Sequence, residues 1–386
     1  MNLKLILKLL RKEANLVLGD KSIFLVLFIA PFLYLFLIGT TYINKDEEKV
    51  SIGIVDMDRT NSSRAFLNKL NTTQKVAITH SYNSLSEAKN GLFRFDIHGI
   101  VNIPRGFEKK LKTKEVSPIG LILNNTKFLP SNDINKAVNS VALDYAIQSR
   151  EAFFKSKEIN PTLAREKANP IKVQVNGVYN PTNNYGNFLL PFVLLLILHQ
   201  TLLIGMSESI ASDRENGIMQ ISFLESENNF LNYIIGKTGL YFFLFLTYLF
   251  FTFLVVFPLL DISINGNLFS LFAVSSIFLL ATVLYSWFIS SFFTSETRAM
   301  EVFALTSYPI FLITGVTWSV NEMPLFIQLI SNLIPLNPYF VFLKKLVVMG
   351  VNSYWYLNEI IHLLILVFIG FIAAYLRFCY LQKKHT

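Results

Sequence analysis

Long runs of apolar residues constrain this chain more than any other feature, because a helix needs about 20 of them to cross the hydrocarbon core of a bilayer. The candidate runs are Ile23 to Ile43, Phe188 to Met206, Leu240 to Leu260, Leu268 to Phe293, Val302 to Trp318 and Ile360 to Leu376. Hydrophobic residues are 52% of the composition and charged residues only 16%, too apolar for one soluble domain. The sequence predicts an α-helical integral membrane protein with six transmembrane helices.

A further apolar segment runs from Pro324 to Val348 and is interrupted by Pro335 and Pro338. Proline removes a backbone donor and disrupts a spanning helix. We therefore expect a re-entrant or interfacial helical pair on the outer side, within about residues 319–350. A seventh span is the alternative.

Basic residues that flank the apolar runs predict the orientation, since short loops rich in lysine and arginine stay in the cytoplasm. Such residues precede the first run and follow the last: Lys4, Lys8, Arg11, Lys12 and Lys21, then Arg377, Lys383 and Lys384. Both termini are therefore expected in the cytoplasm, as an even number of spans requires. Lys344 and Lys345 fall on the predicted outer side, against the rule.

Residues 1–22 are predicted to form a cytoplasmic interfacial helix ahead of the first transmembrane helix at 23–43. Leu3, Ile6, Leu7 and Leu10 recur at helical spacing among the lysines, as in helices that lie flat on a membrane. The alternative is a frayed polar leader.

Residues 44–185 are predicted to form an extracytoplasmic α/β domain with a mixed sheet, inserted between the first two spans. Strands are expected at "SIGIVDMD", "KVAITHS", "IHGIVNIP", "SPIGLILNN" and, finally, "IKVQVNGVYNP". Helices are expected at "RTNSSRAFLNKL", with Asn61 or Ser62 near its cap, at "LSEAKNGLFRFD" and at Asn132 to Glu158. This domain carries 21 Lys+Arg against 14 Asp+Glu, so 21 − 14 = +7 of the chain's net +8. Dispersed solvated lysines explain this excess, and contact with anionic lipid headgroups or an acidic partner is the alternative.

Sequence motifs of catalysis are missing. The chain has neither a phosphate-binding loop nor a metalloprotease or hydrolase motif, its histidines do not cluster, and Cys379 is its single cysteine. We expect no enzyme activity, no metal, no cofactor and no nucleic-acid partner, so ATP-driven work would need another chain. His199 and Gln200 interrupt the second span and, with Tyr308, are candidates to line a pathway; hydrogen bonding to a neighbouring helix is the alternative.

A polar stretch, "SDRENGIMQ", follows the second apolar run. It resembles the loop after the second span in permease subunits of type-2 ABC exporters, with an acidic-basic-acidic triplet, a glycine and a later Gly-Lys pair. Asp213, Arg214, Glu215, Gly217 and the pair at 236–237 match this pattern. Ile218 replaces the usual threonine, and the proline usual before the third span is missing.

The outer segment resembles the same family. Matching positions are Gly315, the turn Glu322, Met323 and Pro324, and the stretch Pro335, Pro338 and Tyr339. "GIVDMDRTNSSRAF" and "AKNGLFRFDIHGIVNIPRGFEKKL" resemble the outer domain of the exporter subgroup with a large insertion between spans one and two. The order of these segments extends the resemblance over nearly the whole chain, with residues 186–386 holding spans two to six.

The resemblance implies the membrane subunit of an ABC exporter in the bacterial inner membrane. A coupling helix at about 212–225 would expose Ile218, Ile221 and Leu224 beside Arg214 and Glu215 and dock on an ABC ATPase dimer that holds ATP and Mg. A second copy, or a homologous permease, would complete the pathway among membrane lipids, and a periplasmic adaptor is a further candidate partner. The alternatives are a non-transporting membrane sensor with a ligand-binding outer domain and an ion-gradient carrier, the latter disfavoured because the spans hold few carboxylates.

Overall fold

The computed structural model describes residues 2–41, 49–113, 115–169, 179 and 185–383. It contains two compact units: residues 46–176 form one, and the chain on either side, 1–45 and 177–386, forms the other. The first holds a small mixed sheet and the second the long apolar helices, which confirms a mostly helical protein with a mixed sheet. The final strand predicted at 171–181 lies outside the described residues, apart from Tyr179.

The helical unit begins with α1 (Leu3–Gly19) and α2 (Lys21–Thr41). Asp20 separates these two helices and caps α2. Its carboxylate accepts hydrogen bonds from the backbone N–H groups of Ser22 and Ile23, at 2.8 and 3.2 Å. Within the protein α1 buries Ile6, Leu9, Glu13 and Val17, whereas Leu3 and Leu7 of the predicted interfacial stripe are exposed. A carboxylate occupies the buried face because α1 packs against a helix that supplies its partners, as described below.

The sheet unit contains β1 (Val50–Asp56), β2 (Val76–Ser81), β3 (Gly99–Ile103) and β4 (Gly120–Leu123) in the order β2-β1-β3-β4. β1 runs parallel to β2 and β3, and β4 is antiparallel to β3. The four strands coincide with four predicted segments. β1 has buried residues on both faces, as expected for a central parallel strand covered by helices.

Five helices accompany the sheet: α3 (Asn61–Asn71), α4 (Leu85–Phe93), α5 (Phe107–Thr113), α6 (Phe128–Ser156) and α7 (Pro161–Ala168). α5 and α7 were not predicted, since both are short and highly charged. α6 begins at 128 rather than 132. The cap of α3 is Thr60, not Asn61 or Ser62, because Thr60 exchanges hydrogen bonds with Ser63 in a capping box.

Asp58 connects the two sequence segments of this unit that carry the family resemblance. Its carboxylate accepts hydrogen bonds from the backbone N–H groups of Gly106, Phe107 and Glu108 at 2.7–3.1 Å and from the Thr60 hydroxyl at 2.7 Å. Burial opposes ionisation of Asp58, but the hydrogen bonds from Glu108, Thr60, Gly106 and Phe107 outweigh it and lower the pKa from its ordinary value of 3.8. Asp58 therefore holds the N-terminal end of α5 against the β1–α3 loop.

The helical unit resumes with α8 (Tyr185–Glu215), α9 (Ile218–Glu225), α10 (Phe230–Leu259), α11 (Leu268–Ser290) and α12 (Glu296–Ile313). α8 packs against α11 and α12, and α10 packs against α1 and α11. α8 continues nine residues beyond the predicted end of the second span, Met206, and α10 begins ten residues before the predicted Leu240. The predicted coupling helix at 212–225 is thus the end of α8, a turn and the separate helix α9.

The last helices are α13 (Leu325–Leu333), α14 (Leu336–Val348) and α15 (Leu357–Lys383). α13 and α14 are bent by 84°, and Pro335 stands at the bend as the sequence predicts. α14 is packed into the core, whereas α13 exposes most of its leucines. Lys345 is one of the two lysines that fall on the predicted outer side against the positive-inside rule. Its charge is paired, because it lies 2.8 Å from Glu359.

Within the described residues, five helices are long and apolar enough to cross a membrane: Lys21–Thr41, Phe188–Glu215, Phe230–Leu259, Leu268–Ser290 and Ser353–Lys383. The bent pair makes six if it is one span. The predicted span Val302 to Trp318 corresponds to α12, which includes Glu296, Arg298 and Glu301 and falls outside this group. The structure therefore supports five or six membrane spans. It does not confirm the prediction of six spans in addition to the outer helical pair.

Candidate functional site

A buried ion cluster joins α1, α8 and α10. The Lys237 ammonium lies 2.7 Å from Glu13 Oε2, 2.7 Å from Asp213 Oδ2 and 2.9 Å from Ser209 Oγ. Ser209 and Tyr241 donate to Glu13 Oε1 at 2.6 and 2.5 Å. All three charged side chains are at most 5% exposed. Charges so far from water are stable only when paired and hydrogen-bonded, so these five residues fix three helices to one another.

The glycine before Lys237 allows this contact. A Cβ on Gly236 would lie 2.5 Å from Leu9 Cβ, closer than any real Cβ contact. Glycine therefore lets α1 approach α10 closely enough for Glu13 to reach Lys237. The Gly-Lys pair that carries part of the family resemblance is thus an attachment site for the N-terminal helix.

Arg214, the next residue along α8 after Asp213, binds the turn between α11 and α12. Its guanidinium donates to the carbonyl oxygens of Ser291 and, at 3.0 Å, Phe293. Arg377 of α15 reaches the same turn and donates to Ser291 O at 2.9 Å and to Ser291 Oγ at 3.1 Å. Two arginines from different helices therefore satisfy the carbonyl groups that α11 leaves free at its end.

Glu215 completes the triplet by binding the start of α12. Its Oε2 accepts a hydrogen bond from the backbone N–H of Glu296 at 3.1 Å. Ser295, the residue at the N-cap of α12, makes no capping bond of its own. A carboxylate at a helix N-terminus supplies the missing acceptor and complements the helix dipole. Asp213, Arg214 and Glu215 thus hold α10, the α11–α12 turn and α12, in that order.

α9 begins after a sharp turn at Gly217, whose φ of 68° lies in the left-handed region that suits glycine. The helix buries Met219, Ser222 and Phe223 and exposes Ile221 and Leu224, at 53% and 68%. Ile218 is half-buried. Two of the three apolar positions predicted for docking are therefore exposed on one face.

The buried face of α9 is anchored in two ways. Phe223 packs edge-on against Tyr233 of α10 and Phe378 of α15, both with ring centroids 4.6 Å away. Glu225 pairs with Lys12 at 2.8 Å and with Lys8 at 3.3 Å, both on α1. The hydrogen bond from Lys12 is the main cause that lowers the pKa of Glu225, so the carboxylate is ionised. α9 is therefore attached to α1, α10 and α15.

Of the candidate pathway residues, His199 and Gln200 are buried and Tyr308 is 68% exposed in the single chain. The His199 ring stacks on Phe278 of α11 at 5.7 Å, and Tyr339 of α14 stacks on the same ring at 3.9 Å. Within the part of the chain that the structure describes, His199 Nδ1 and both polar atoms of the Gln200 side chain have no hydrogen-bond partner. The structure thus brings His199 near Tyr339 of the outer segment, and Tyr308 lies elsewhere.

Of the predicted outer residues, Gly315 and Pro338 line a polar pocket of about 500 Å³ that is formed by the loop after α12, the bent pair and α15. Gly315, with φ of 83°, ends α12, and the turn containing Glu322, Met323 and Pro324 leads into α13. Gln328 donates to the Met323 carbonyl at 2.8 Å and holds that turn.

Amide side chains dominate this pocket. Asn337 donates to Ser331 Oγ at 2.7 Å, and His362 bonds the Asn332 carbonyl at 2.8 Å. Pro338 also lines the pocket, whereas Tyr339 points into the core and bonds Ser275 at 2.8 Å. Pro335 therefore stands at the bend, and Pro338 forms part of the wall of the polar pocket.

Residues that sequence reasoning missed include Glu13, Ser209, Tyr241, Ser291 and Arg377. A usable signal existed only for Glu13, which stands at helical spacing from Ile6, Leu9 and Val17 and is the one acid on that stripe. The serines and the tyrosine carry no signal, because such residues are common in membrane helices.

Known proteins resemble this chain over most of its length. The profile described as "ABC-2 family transporter protein" matches residues 21–377. The chain is 24% identical over 341 residues to the probable multidrug ABC transporter permease YbhS of Escherichia coli K12, covering 88% of this chain and 87% of the relative. It is 21% identical over 338 residues to ABC transporter G family member 20 of Dictyostelium discoideum, covering 85% of this chain and 44% of the relative. The long apolar helices, the helix-joining triplet and this match over most of the chain together show that the protein belongs to the ABC-2 family of transporter permeases.

Proposed function

We propose that this permease is the membrane subunit of an ATP-driven exporter and that a separate ATPase docks on α9. The exposed Ile221 and Leu224 carry this proposal. A groove on a soluble protein can recognise an amphipathic helix by apolar side chains at this spacing. Because the opposite face of α9 is packed against other helices of the permease, α9 could also transmit force to them. ATP and Mg would be held by the partner ATPase.

The attachments of α9 suggest how ATPase closure would reach the membrane. Phe223 and Glu225 join α9 to α1, α10 and α15, and the buried ion cluster joins α1 and α10 to α8. A push on Ile221 and Leu224 would therefore move these helices as one body rather than bend a loop.

The assembly we propose is a dimer, of two copies or of one copy and a homologous permease, in the bacterial inner membrane with both termini in the cytoplasm. Residues 46–176 would lie on the outer side, where a periplasmic adaptor is a further candidate partner. The unpartnered polar groups of His199 and Gln200 favour a place near the pathway. The multidrug description of the Escherichia coli relative supports small amphiphilic molecules as cargo.

The test is the double variant Ile221→Asp with Leu224→Asp. Loss of two central apolar anchors typically costs an interface a few kcal/mol, so we expect the co-expressed ATPase to dissociate and export to stop. Co-purification of the ATPase and transport into inverted vesicles measure these effects. The thermal unfolding midpoint should not change, because both side chains are exposed.

A matched control replaces two exposed apolar residues of the sheet unit, Phe93→Asp with Leu143→Asp, at 73% and 63% exposure. This control should keep both ATPase and export. If the α9 variant also kept both, docking on α9 would be wrong and a non-transporting sensor would become the better hypothesis.

A further inference from the structure

A groove of about 1010 Å³ opens in the sheet unit beside α6. Its floor is aromatic: the rings of Phe66 and Tyr145 have centroids 5.8 Å apart, those of Phe66 and Phe107 6.2 Å, and those of Phe107 and Tyr145 6.4 Å. Phe66 and Phe107 are fully or almost fully buried. The volume is at the upper end of the range for ligand sites, about 300–1,000 Å³.

The floor is held in place from both sides. Tyr145 of α6 donates its hydroxyl to the Ser62 carbonyl of α3 at 3.1 Å, and its ring packs edge-to-face with Phe66. Leu111 and Ile119 pack against the same core and also line the groove. The site is therefore a preformed apolar trough rather than a gap between mobile side chains.

The rim of the groove is cationic. Lys112, Arg150 and Lys167 line it, against one acidic residue, Glu115. Lys112 lies 3.4 Å from Glu108, which partly satisfies it. Arg150 and Lys167 are exposed and make no ion pair with any described residue. In addition, the Ser117 hydroxyl faces the groove region, buried and without a hydrogen-bond partner among residues 49–113 and 115–169.

We propose that this groove binds a single-chain anionic amphiphile, with its alkyl chain on the partly exposed side chains of Tyr145, Leu111 and Ile119, above the buried rings of Phe66 and Phe107, and its acidic head at Arg150 and Lys167. The apolar side chains at the base of the groove favour an alkyl chain over an acidic peptide, because the polar backbone of a peptide would lose its hydration against them. Two unpaired cations at the rim select a negative head over a neutral or positive one. This binding does not depend on ATP-driven export.

The experiment uses the full chain in lipid nanodiscs and a photoreactive palmitic acid that carries a diazirine near the end of its chain. After irradiation, mass spectrometry maps the labelled peptides. We expect labels on α6 and on the segment that contains Phe107 and Leu111. The variant Arg150→Ala with Lys167→Ala should lower this labelling about tenfold, as expected for the loss of charge-assisted hydrogen bonds.

Two controls make the result specific. Lys89→Ala with Lys136→Ala removes the same charge from exposed positions outside the groove and should leave labelling unchanged. Ala146→Trp, which fills the groove, should abolish labelling, with hydrogen exchange of β1 and β3 as the check that the unit stays folded.

Three outcomes would overturn the proposal. The first is equal labelling of the groove by an alkyl trimethylammonium probe of the same chain length. The second is equal labelling by a two-chain photoreactive phosphatidylglycerol, which would make bilayer lipid the ligand. The third is an equal loss in the Lys89 and Lys136 control. None of these bears on whether α9 docks an ATPase, so the two proposals fail separately.

Discussion

The end of α8 and the helix α9 are separated by only two residues, but they differ in what they do with their side chains. The end of α8 pairs its charges within the chain, whereas α9 exposes apolar side chains. Asp213, Arg214 and Glu215 direct their charges to partners within the same chain. α9 instead exposes Ile221 and Leu224. The triplet provides internal attachment, whereas the apolar pair is left exposed by the residues that the structure describes. The loop motif that resembles ABC exporters therefore combines internally paired charges with an exposed apolar pair.

Physical chemistry explains the division. A charge in a low-dielectric interior gains much from a fitted partner, and losing that partner is costly. An apolar side chain on the surface gains only when another surface covers it. Substitutions of the buried Asp213 and the half-buried Arg214 should therefore act on stability, and substitutions of Ile221 and Leu224 should act on partner binding.

The largest effect is expected from Lys237→Met. It leaves the carboxylates of Glu13 and Asp213 buried without their cation, and removing one partner of a buried pair costs about 3–5 kcal/mol. Thermal unfolding of the purified chain in detergent should show a clearly lower midpoint. The triple variant that adds Glu13→Gln and Asp213→Asn should recover part of the loss, because no unpaired charge remains. A single variant as stable as the wild type would show that the cluster is dispensable.

Arg214→Ala should have an intermediate effect. It leaves the carbonyl groups of Ser291 and Phe293 with fewer donors, at a cost of about 1–3 kcal/mol. The unfolding midpoint should fall, while the ATPase should still co-purify. Arg298→Ala, an exposed arginine of α12, is the matched control and should change neither. Release of the ATPase by Arg214→Ala at an unchanged midpoint would make the triplet a docking anchor and remove the contrast with α9.

The smallest effect is expected outside the helical unit, at Asp58→Asn. The amide keeps one acceptor oxygen but loses the charge, so local stability around α5 should fall by about 1 kcal/mol. The folded pKa of Asp58 is lowered, so its contribution is complete above the unfolded value near 3.8 and is lost as the pH falls through the folded value. Hydrogen exchange of Gly106 to Glu108 should therefore be faster in the variant at pH 7. If the two proteins differed equally at pH 3 and pH 7, charge would not be the cause.

Much of this architecture could be predicted from sequence. The four strands, α3, α4 and most long helices follow from apolar periodicity, since each is a strong local pattern. The start of α10 could not, because Lys237 lies in its first turns and a charge conventionally marks the end of a span. Likewise, the helix α12 carries three charged residues, which periodicity alone does not weigh against a span.

At the candidate site, the exposed apolar positions of α9 could be predicted, but the contacts of the triplet could not. The apolar positions of α9 follow from helical spacing, and two of them are exposed as expected. The sequence did not predict that the triplet binds Lys237, Ser291, Phe293 and Glu296 of the same chain. Contacts across such separations leave no periodic trace in a single sequence.

The pairing of Glu13 with Lys237 also sets an order on biosynthesis. The two residues are 224 positions apart, so at about 5–20 residues per second a ribosome needs roughly ten to forty-five seconds to synthesise the second after the first. During that time α1 has no cation for its buried carboxylate, and the whole of β1–β4 is made. The N-terminal helix can therefore form this contact only after the first turns of α10 have been synthesised, which makes its attachment a late step in the maturation of the nascent chain.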